Sequence, residues 1–186
     1  MSAMNDDILS VLLKKDEIDA QVKQLGEQIS RDFDGRNPLL IGVLKGSFVF
    51  MSDLIRNIDV PCSVDFMAVS SYGNRHTSSG TVQIAMDLAV DIDKRHVIIV
   101  EDILDSGLTL NYLSQYIRNR NPLSISIVTL LDKPGRRQAP ITPDYVGFEI
   151  PDAFVVGYGL DFAEKYRNLP YIGILKPEIY ATAFGE

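Results

Sequence analysis

The segment from Val97 to Thr109 restricts the possible folds of this chain more than any other stretch. It opens with four apolar, mostly β-branched residues, Val97 to Val100, a run typical of a strand that is buried on both faces of a sheet. Two adjacent carboxylates follow, where that strand is expected to end, and then come a third carboxylate and a small turn. A helical pattern begins directly after the turn. The segment therefore predicts one strand–turn–helix unit with acidic groups at its bend.

The turn from Asp105 to Thr109 has the chemistry of a phosphate site. A turn that leads into a helix leaves backbone N–H groups unpaired, and together with the helix dipole these groups attract an anion. The hydroxyls of Ser106 and Thr109 can donate further hydrogen bonds. The adjacent Glu101 and Asp102 are costly to place together unless cations or sugar hydroxyls lie against them. The pattern favours a phosphorylated sugar as ligand over the alternative, an acidic solvated strand end with a capped helix.

Composition limits the class of protein. A chain of 186 residues with 46% hydrophobic and 23% charged residues is sufficient for one compact domain with a proper core. The net charge of −7 argues against nucleic acid or an anionic membrane as the main partner. The single Cys62 allows no internal disulfide, which fits a reducing cytoplasm. We find no signal peptide and no apolar stretch long enough to span a bilayer, so we expect a cytoplasmic protein without a membrane partner.

Periodicity elsewhere predicts strands that alternate with helices, which require right-handed crossovers. An amphipathic helix is predicted from Asp16 to Phe33, with Asp16 as its N-cap. Residues 1–10 receive no assignment. The predicted strands are Leu39–Leu44, Ser63–Ser70, Thr81–Met86, Ser124–Leu131 and Tyr171–Leu175, with short strands between Tyr145 and Asp161.

Other turns carry polar groups as well, and open α/β sheets bind ligands at the carboxyl ends of their strands. The turn Lys45-Gly46-Ser47 is a candidate anion site, with a simple helix N-cap by Ser47 as the alternative. The basic turn from Asp132 to Arg137 is a second candidate, with solvated surface as the alternative. The polar stretch from Ser71 to Gly80 is either a plain hairpin loop or a mobile lid that excludes water from a reaction.

The segment from Val97 to Thr109 resembles the phosphoribosyl-pyrophosphate-binding signature of the type I phosphoribosyltransferases. From about Leu39 to Arg167 the chain is similar to the hypoxanthine-guanine phosphoribosyltransferases of bacterial type, with one departure at Ala89, where that family commonly has Asp. The resemblance implies a mostly parallel sheet flanked by helices, with a flexible flap and a small edge (hood) subdomain. Residues 1–186 would form a single domain, with a core of about residues 36–150 and a hood from residues 1–15 and 151–186.

The resemblance also implies a role for each polar turn. Asp105 would be the catalytic base that accepts the purine N7 proton. The implied contacts are Glu101, Asp102, Asp105, Ser106, Gly107, Leu108 and Thr109 for ribose and its phosphate; Lys45, Gly46 and Arg167 for pyrophosphate; Ser71 and Tyr72 in the flexible loop; Lys133, Phe154 and Val155 for the base; and Glu101, Asp102 and Asp161 for Mg²⁺. For Phe154, core packing is the alternative. In this family a cis peptide often precedes the lysine that corresponds to Lys45.

The implied reaction transfers the 5-phosphoribosyl group from phosphoribosyl pyrophosphate to N9 of hypoxanthine or guanine. An ammonium at Lys133 favours a 6-oxo group over the 6-amino group of adenine, because two donors cannot pair. A xanthine-preferring enzyme and a regulatory protein on the same fold are the alternatives. Family habit suggests a homodimer or homotetramer. The sequence leaves open the oligomeric state and the ranking of the purines.

Overall fold

The computed structural model describes residues 3–71 and 82–181 and contains two sheets. The strands are β1 (Ile8–Leu13), β2 (Leu39–Leu44), β3 (Ser63–Ser71), β4 (Val82–Met86), β5 (His96–Leu104), β6 (Ser124–Asp132), β7 (Tyr145–Glu149), β8 (Val155–Val156) and β9 (Ile172–Leu175). The helices are α1 (Ala3–Asp6), α2 (Lys15–Asp32), α3 (Phe48–Ile55), α4 (Leu108–Arg118) and α5 (Pro177–Ala181), and Pro134–Arg136 forms a 3-10 turn.

The larger sheet has the strand order β4-β3-β2-β5-β6-β7 and is parallel except for β4. Strand β5 lies at its centre, where Leu39 of β2 pairs with Val97 and Ser124 of β6 pairs with His96. The carboxyl ends of β2, β5 and β6 therefore meet at one edge of the sheet. This arrangement confirms the predicted mostly parallel sheet, and it brings three of the predicted polar turns together.

Helices cover both faces of this sheet. On one face, α2 and α3 pack against the inward side chains of β2, β5 and β6, and on the other face α4 packs against the alternate residues of the same strands. The four residues from Val97 to Val100 are fully buried and divide between the two faces, as expected for a central parallel strand. The rigid sheet thus fixes the position of whatever follows its strands.

The predicted N-cap of α2 was wrong. Helix α2 starts one residue before Asp16, because the carboxylate of Glu17 accepts a hydrogen bond from the backbone N–H of Lys14 at 2.8 Å. Before α3, the Ser47 hydroxyl donates to the carbonyl of Val43 at 2.7 Å instead of capping the helix. Neither Asp16 nor Ser47, which was the alternative cap for α3, therefore binds a helix N-terminus through its side chain.

Strand β5 is longer than predicted. The sequence indicated that the strand ends before the acid pair, but its pairing with β6 continues through Glu101, opposite Thr129, to Leu104, opposite Asp132. The two carboxylates therefore project from an ordered strand, and their positions depend on the sheet.

The smaller sheet combines the two ends of the chain. Strand β1 pairs antiparallel with β9, and β9 pairs antiparallel with the short β8. Strand β1 was not predicted, because its Leu9 and Val11 point to the surface and break the expected alternation. The sheet joins segments that the domain prediction assigned to a hood, although that boundary stays a prediction.

Strands β3 and β4 form the predicted antiparallel flap, with Ser71 opposite Val82. The predicted loop residue Tyr72 lies outside the described residues, as does most of the loop to which Ser71 leads. Within the described part of the chain, no helix has both the length and the apolar character needed to cross a membrane.

Candidate active site

The acid pair on β5 lies in a dense, weakly solvated environment. Burial, and then the charge of Asp102, raise the pKa of Glu101 well above its ordinary value. Burial also raises the pKa of Asp102, to about 6. Asp102 Oδ1 accepts a hydrogen bond from the backbone N–H of Ile103 at 2.9 Å, whereas Glu101 Oε2 is buried without a partner among the described residues. An unsatisfied buried oxygen is unfavourable, so the pair is suited to a ligand that supplies hydroxyls or a cation.

The turn after β2 touches this pair directly. A Cβ placed on Gly46 would lie 1.7 Å from Asp102 Oδ2, so only glycine fits at this position. The peptide between Leu44 and Lys45 is cis, which agrees with the feature that the family resemblance implied. The ammonium of Lys45 lies 3.0 Å from Glu164 Oε2 on the facing loop. The backbone of the Lys45-Gly46 turn is therefore held against the acid pair.

A loop after β8 closes the opposite side of that turn. Gly159 has φ +101°, and a Cβ there would lie 2.3 Å from the carbonyl oxygen of Gly46. Arg167 donates to the carbonyl of Gly159 at 2.7 Å and pairs with Asp161 Oδ1 at 2.7 Å. The pKa of Asp102 is lowered by the charge of Arg167 and raised by that of Asp161. All three residues predicted to bind pyrophosphate, and Asp161, thus lie beside the acid pair.

The turn from Asp105 to Thr109 encloses a small cavity of about 100 Å³ at the start of α4. Gly107 takes the left-handed conformation at φ +77° immediately before the helix, which turns the chain sharply. The backbone N–H groups of Gln138 and Ala139 donate to the carbonyl of Ser106 at 2.9 and 3.1 Å. The lining residues are Glu101, Ile103, Leu104, Asp105, Ser106, Gly107, Thr109 and Leu110. Five of the seven residues predicted to contact ribose and its phosphate therefore line one cavity. Of the other two, Asp102 follows Glu101 on β5 and Leu108 is the first residue of α4.

The predicted base-contacting residues lie where the turn after β6 meets the segment before β8. Lys133 is only 7% exposed, and its ammonium donates to the carbonyl of Ala153 at 2.7 Å. Phe154 stacks on Tyr180 with ring centroids 4.8 Å apart, and its ring meets Phe162 edge-on at 5.6 Å. Phe154 thus packs against neighbouring aromatic rings, as the alternative interpretation of this residue expected. Val155 is buried and pairs with Ile174.

No individual role was predicted from the sequence for Arg136 and Arg137, which lie at this end of the site. Arg136 Nε donates to Asp105 Oδ1 at 2.8 Å, and its Nη1 donates to Asp152 Oδ2 at 3.2 Å. The neighbouring Arg137 pairs with Asp132 and is largely buried, so this basic turn is not simply solvated surface. Arg136 could have been considered from the sequence, because it lies in the same turn as Lys133, which was predicted to contact the base.

The carboxylates near the site fit Mg²⁺ as a partial set of ligands. No group of three or more His, Cys, Asp or Glu side chains within the described ranges could hold a metal ion alone. Mg²⁺, however, is commonly bound by one or two carboxylates together with substrate phosphates and water. The unpartnered oxygen of Glu101 with the adjacent Asp102, and the nearby Asp161, offer that chemistry.

Comparisons with known proteins agree with this geometry. A model of the phosphoribosyl transferase domain family matches residues 11–163 of the chain. The hypoxanthine-guanine phosphoribosyltransferase of Bacillus subtilis (strain 168) is 56% identical over 179 residues, which cover 96% of this chain and 99% of that protein. The bifunctional protein TilS/HprT of Listeria innocua is 54% identical over 96% of this chain, which spans only 28% of that longer protein.

A solved structure is similar over almost the whole chain. The crystal structure of a hypoxanthine phosphoribosyltransferase from Staphylococcus aureus superposes with a TM-score of 0.93 at 52% identity, covering 97% of this chain and 98% of that chain. The fold and the family resemblance inferred from the sequence are thereby confirmed. The chain belongs to the phosphoribosyltransferase family, within which it is similar to the hypoxanthine-guanine enzymes of bacterial type.

Proposed function

We propose that this chain transfers the 5-phosphoribosyl group from phosphoribosyl pyrophosphate to N9 of hypoxanthine or guanine, and releases pyrophosphate. The observation that carries the proposal is that an acidic strand end and a small cavity at a helix N-terminus lie together at one edge of the sheet. The 56% identity to the hypoxanthine-guanine phosphoribosyltransferase of Bacillus subtilis supports it. The xanthine-preferring and regulatory alternatives are not favoured by these relatives. We assign residues 1–186 to one domain, with the hood bounds given above, and a cytoplasmic location.

The phosphate cavity fixes the sugar. In our proposal the backbone N–H groups from Ser106 to Thr109 bind the 5-phosphate, and the N-terminal end of α4 favours its charge. The carboxylates of Glu101 and Asp102 accept hydrogen bonds from the ribose hydroxyls. These hydroxyls would satisfy the buried oxygen of Glu101 that has no partner among the described residues. Binding thus orients C1 of the ribose toward the base, and orientation is a large part of catalysis in a reaction of two substrates.

The leaving group departs toward the turn after β2. The backbone N–H groups of Lys45 and Gly46, with the guanidinium of Arg167, would bind the pyrophosphate oxygens. One Mg²⁺, held by Glu101 and Asp102, would help to bind the ribose hydroxyls, and a second, held near Asp161, would neutralise the charge of the leaving pyrophosphate. As the bond from C1 to pyrophosphate breaks, positive charge develops on the ribose ring, and the nearby carboxylates stabilise it.

The purine base would approach C1 of the ribose from the side opposite the leaving pyrophosphate. Phe154 would stack on the purine, Lys133 would donate to its 6-oxo group, and the backbone of Val155 would bind the edge of the ring. N9 forms the new bond to C1 while Asp105 accepts the proton from N7. Closure of the loop that begins at Ser71 and Tyr72 would keep water from reacting with the ribose cation. We further propose a homodimer or homotetramer as the working form.

A product assay tests the proposed function. The purified chain is mixed with phosphoribosyl pyrophosphate and one purine at a time, with and without Mg²⁺, and the nucleotides are separated by chromatography. We expect IMP from hypoxanthine and GMP from guanine, both dependent on Mg²⁺, and no AMP from adenine. Absence of any nucleotide product with hypoxanthine and guanine would contradict the proposal and favour a regulatory protein.

A further inference from the structure

Arg136 is the centre of a continuous series of ion pairs at the base end of the site. Its guanidinium binds Asp105 Oδ1 at 2.8 Å on one side and Asp152 Oδ2 at 3.2 Å on the other. The other oxygen of Asp152 lies 3.7 Å from the ammonium of Lys133. Asp105 and Lys133, which the proposed function places at N7 and at the 6-oxo group of one purine, are therefore linked through Arg136.

The contact leaves Asp105 in a defined orientation. Arg136 holds one carboxylate oxygen, and no other described residue forms a hydrogen bond with the second oxygen, Oδ2. A guanidinium presents its donors in a rigid planar fork, so it can hold two carboxylates in a fixed relative geometry. The second oxygen of Asp105 is thus the one available for a purine proton.

Stability does not explain this arrangement. The side chain of Arg136 is 48% exposed, and those of Asp105 and Asp152 are 41% and 62% exposed. Ion pairs with this much solvent contact contribute little to folding. The adjacent Arg137 makes the contrasting contact, because it and Asp132 are only 16% and 13% exposed. Arg137 thus forms a largely buried ion pair, whereas Arg136 lies at the solvent-facing edge of the site.

We infer that Arg136 is a positioning residue, which holds the Asp105 carboxylate in register with Lys133 so that both meet the same purine. This inference rests on the proposed function. It requires that Arg136 act through Asp105 rather than on phosphoribosyl pyrophosphate. In the opposite role, Arg136 would block Asp105 and would have to move away before the base binds. Removing the Arg136 side chain would then increase turnover.

A double-mutant cycle separates these roles. Turnover and the KM values for hypoxanthine and phosphoribosyl pyrophosphate are measured for the unmodified chain, Arg136→Gln, Asp105→Asn and the double variant. We expect Arg136→Gln to lower kcat about tenfold and to leave the KM for phosphoribosyl pyrophosphate within about twofold. In the Asp105→Asn background, the same substitution should change kcat by less than about twofold, because its target is already lost.

Arg120→Gln serves as the matched control, because Arg120 also forms an exposed ion pair, with Asp87, but belongs to no proposed contact. It should leave kcat unchanged. Equal or higher turnover in Arg136→Gln, or the same tenfold loss with Asp105→Asn, would overturn the inference while leaving the proposed function intact. If the unmodified chain gives no product, the proposed function fails and the inference fails with it.

Discussion

The two ends of the proposed site are built in different ways. The phosphate end, formed by Glu101, Asp102, the Lys45-Gly46 turn and the turn from Asp105 to Thr109, rests on buried parallel strands and on backbone contacts too close for any Cβ. The base end, formed by Lys133, Arg136, Asp152 and Phe154, rests on side-chain ion pairs and aromatic contacts between loops. If the proposed function holds, close steric contacts would fix the sugar phosphate, whereas ion pairs between side chains would orient the base.

A substitution at the phosphate end should have the largest effect. Gly46→Ala places a methyl group where Asp102 Oδ2 lies, at 1.7 Å, so the turn or the carboxylate must move. We expect kcat/KM to fall by at least about 1,000-fold and the free energy of unfolding to fall by about 1–3 kcal/mol. Steady-state kinetics and chemical denaturation measure both quantities.

Gly135→Ala is the control for this prediction, since in the described part of the chain no heavy atom, apart from those of Gly135 and its two sequence neighbours, lies within 4 Å of a Cβ at that position. We expect Gly135→Ala to change kcat/KM by less than about twofold and the free energy of unfolding by less than about 0.5 kcal/mol. Normal activity of Gly46→Ala would show that the two turns do not need their close contact, and the contrast between the ends would be lost.

Asp105 joins the two ends, so its substitution tests whether chemistry can be separated from sugar binding. Asp105→Asn keeps the shape of the side chain but removes its capacity to accept a proton. We expect kcat to fall about 100- to 10,000-fold, with the KM for phosphoribosyl pyrophosphate nearly unchanged. Unchanged turnover would remove the assignment of Asp105 as the general base.

Loss of Lys133 should affect only the base end. Lys133→Ala removes the proposed donor to the 6-oxo group, and we expect kcat/KM for hypoxanthine and guanine to fall about 10- to 100-fold. Binding of phosphoribosyl pyrophosphate, measured by calorimetry, should be retained. Unchanged kcat/KM for hypoxanthine and guanine, or loss of phosphoribosyl pyrophosphate binding, would show that Lys133 has a different role.

At the phosphate end, the charge of Glu101 should lower the stability of the folded chain. Because the pKa of Glu101 is raised in the folded chain, the unfolded chain loses this proton at lower pH. Stability should fall as the pH rises from the ordinary pKa of glutamate through the raised value. Glu101→Gln removes this loss and should increase the free energy of unfolding at pH 7.5 while lowering activity.

Denaturant titrations at pH 5 and 7.5 measure this effect. The exposed Glu149 is the matched control, and Glu149→Gln should change stability by less than about 0.5 kcal/mol at either pH. A Glu101→Gln variant that is less stable than the unmodified chain at pH 7.5 would mean that the carboxylate contributes to folding. The phosphate end would then not be strained by its charge.

The same contrast explains how much could be predicted from the sequence. Hydrophobic runs such as Val97–Val100 and the helix after Gly107 follow directly from periodicity, so the strands of the central sheet and the turn before α4 were predicted correctly as structure. Their parallel order places the polar turns at one edge without further information. The extension of β5 past Glu101 was missed, because charged residues are normally excluded from a buried strand.

Contacts between segments distant in sequence could not be predicted. Strand β1 forms only because β9 offers a partner more than 150 residues later, and its own pattern carries no clear alternation. Likewise, the bridge from Arg136 to Asp152 and the approach of Gly159 to Gly46 depend on how the loops meet. No local pattern in the sequence encodes those distances.

The central claim is that the acidic end of β5 and the turn from Asp105 to Thr109 bind one sugar phosphate together. A crystal structure of the chain with IMP tests it most directly. Our account predicts the phosphoryl group within hydrogen-bond distance of the backbone N–H groups from Ser106 to Thr109, and the ribose hydroxyls against Glu101 and Asp102. A phosphoryl group bound elsewhere, for example in the wider cavity of about 670 Å³ beside Lys15, Arg56 and Pro170, would contradict it.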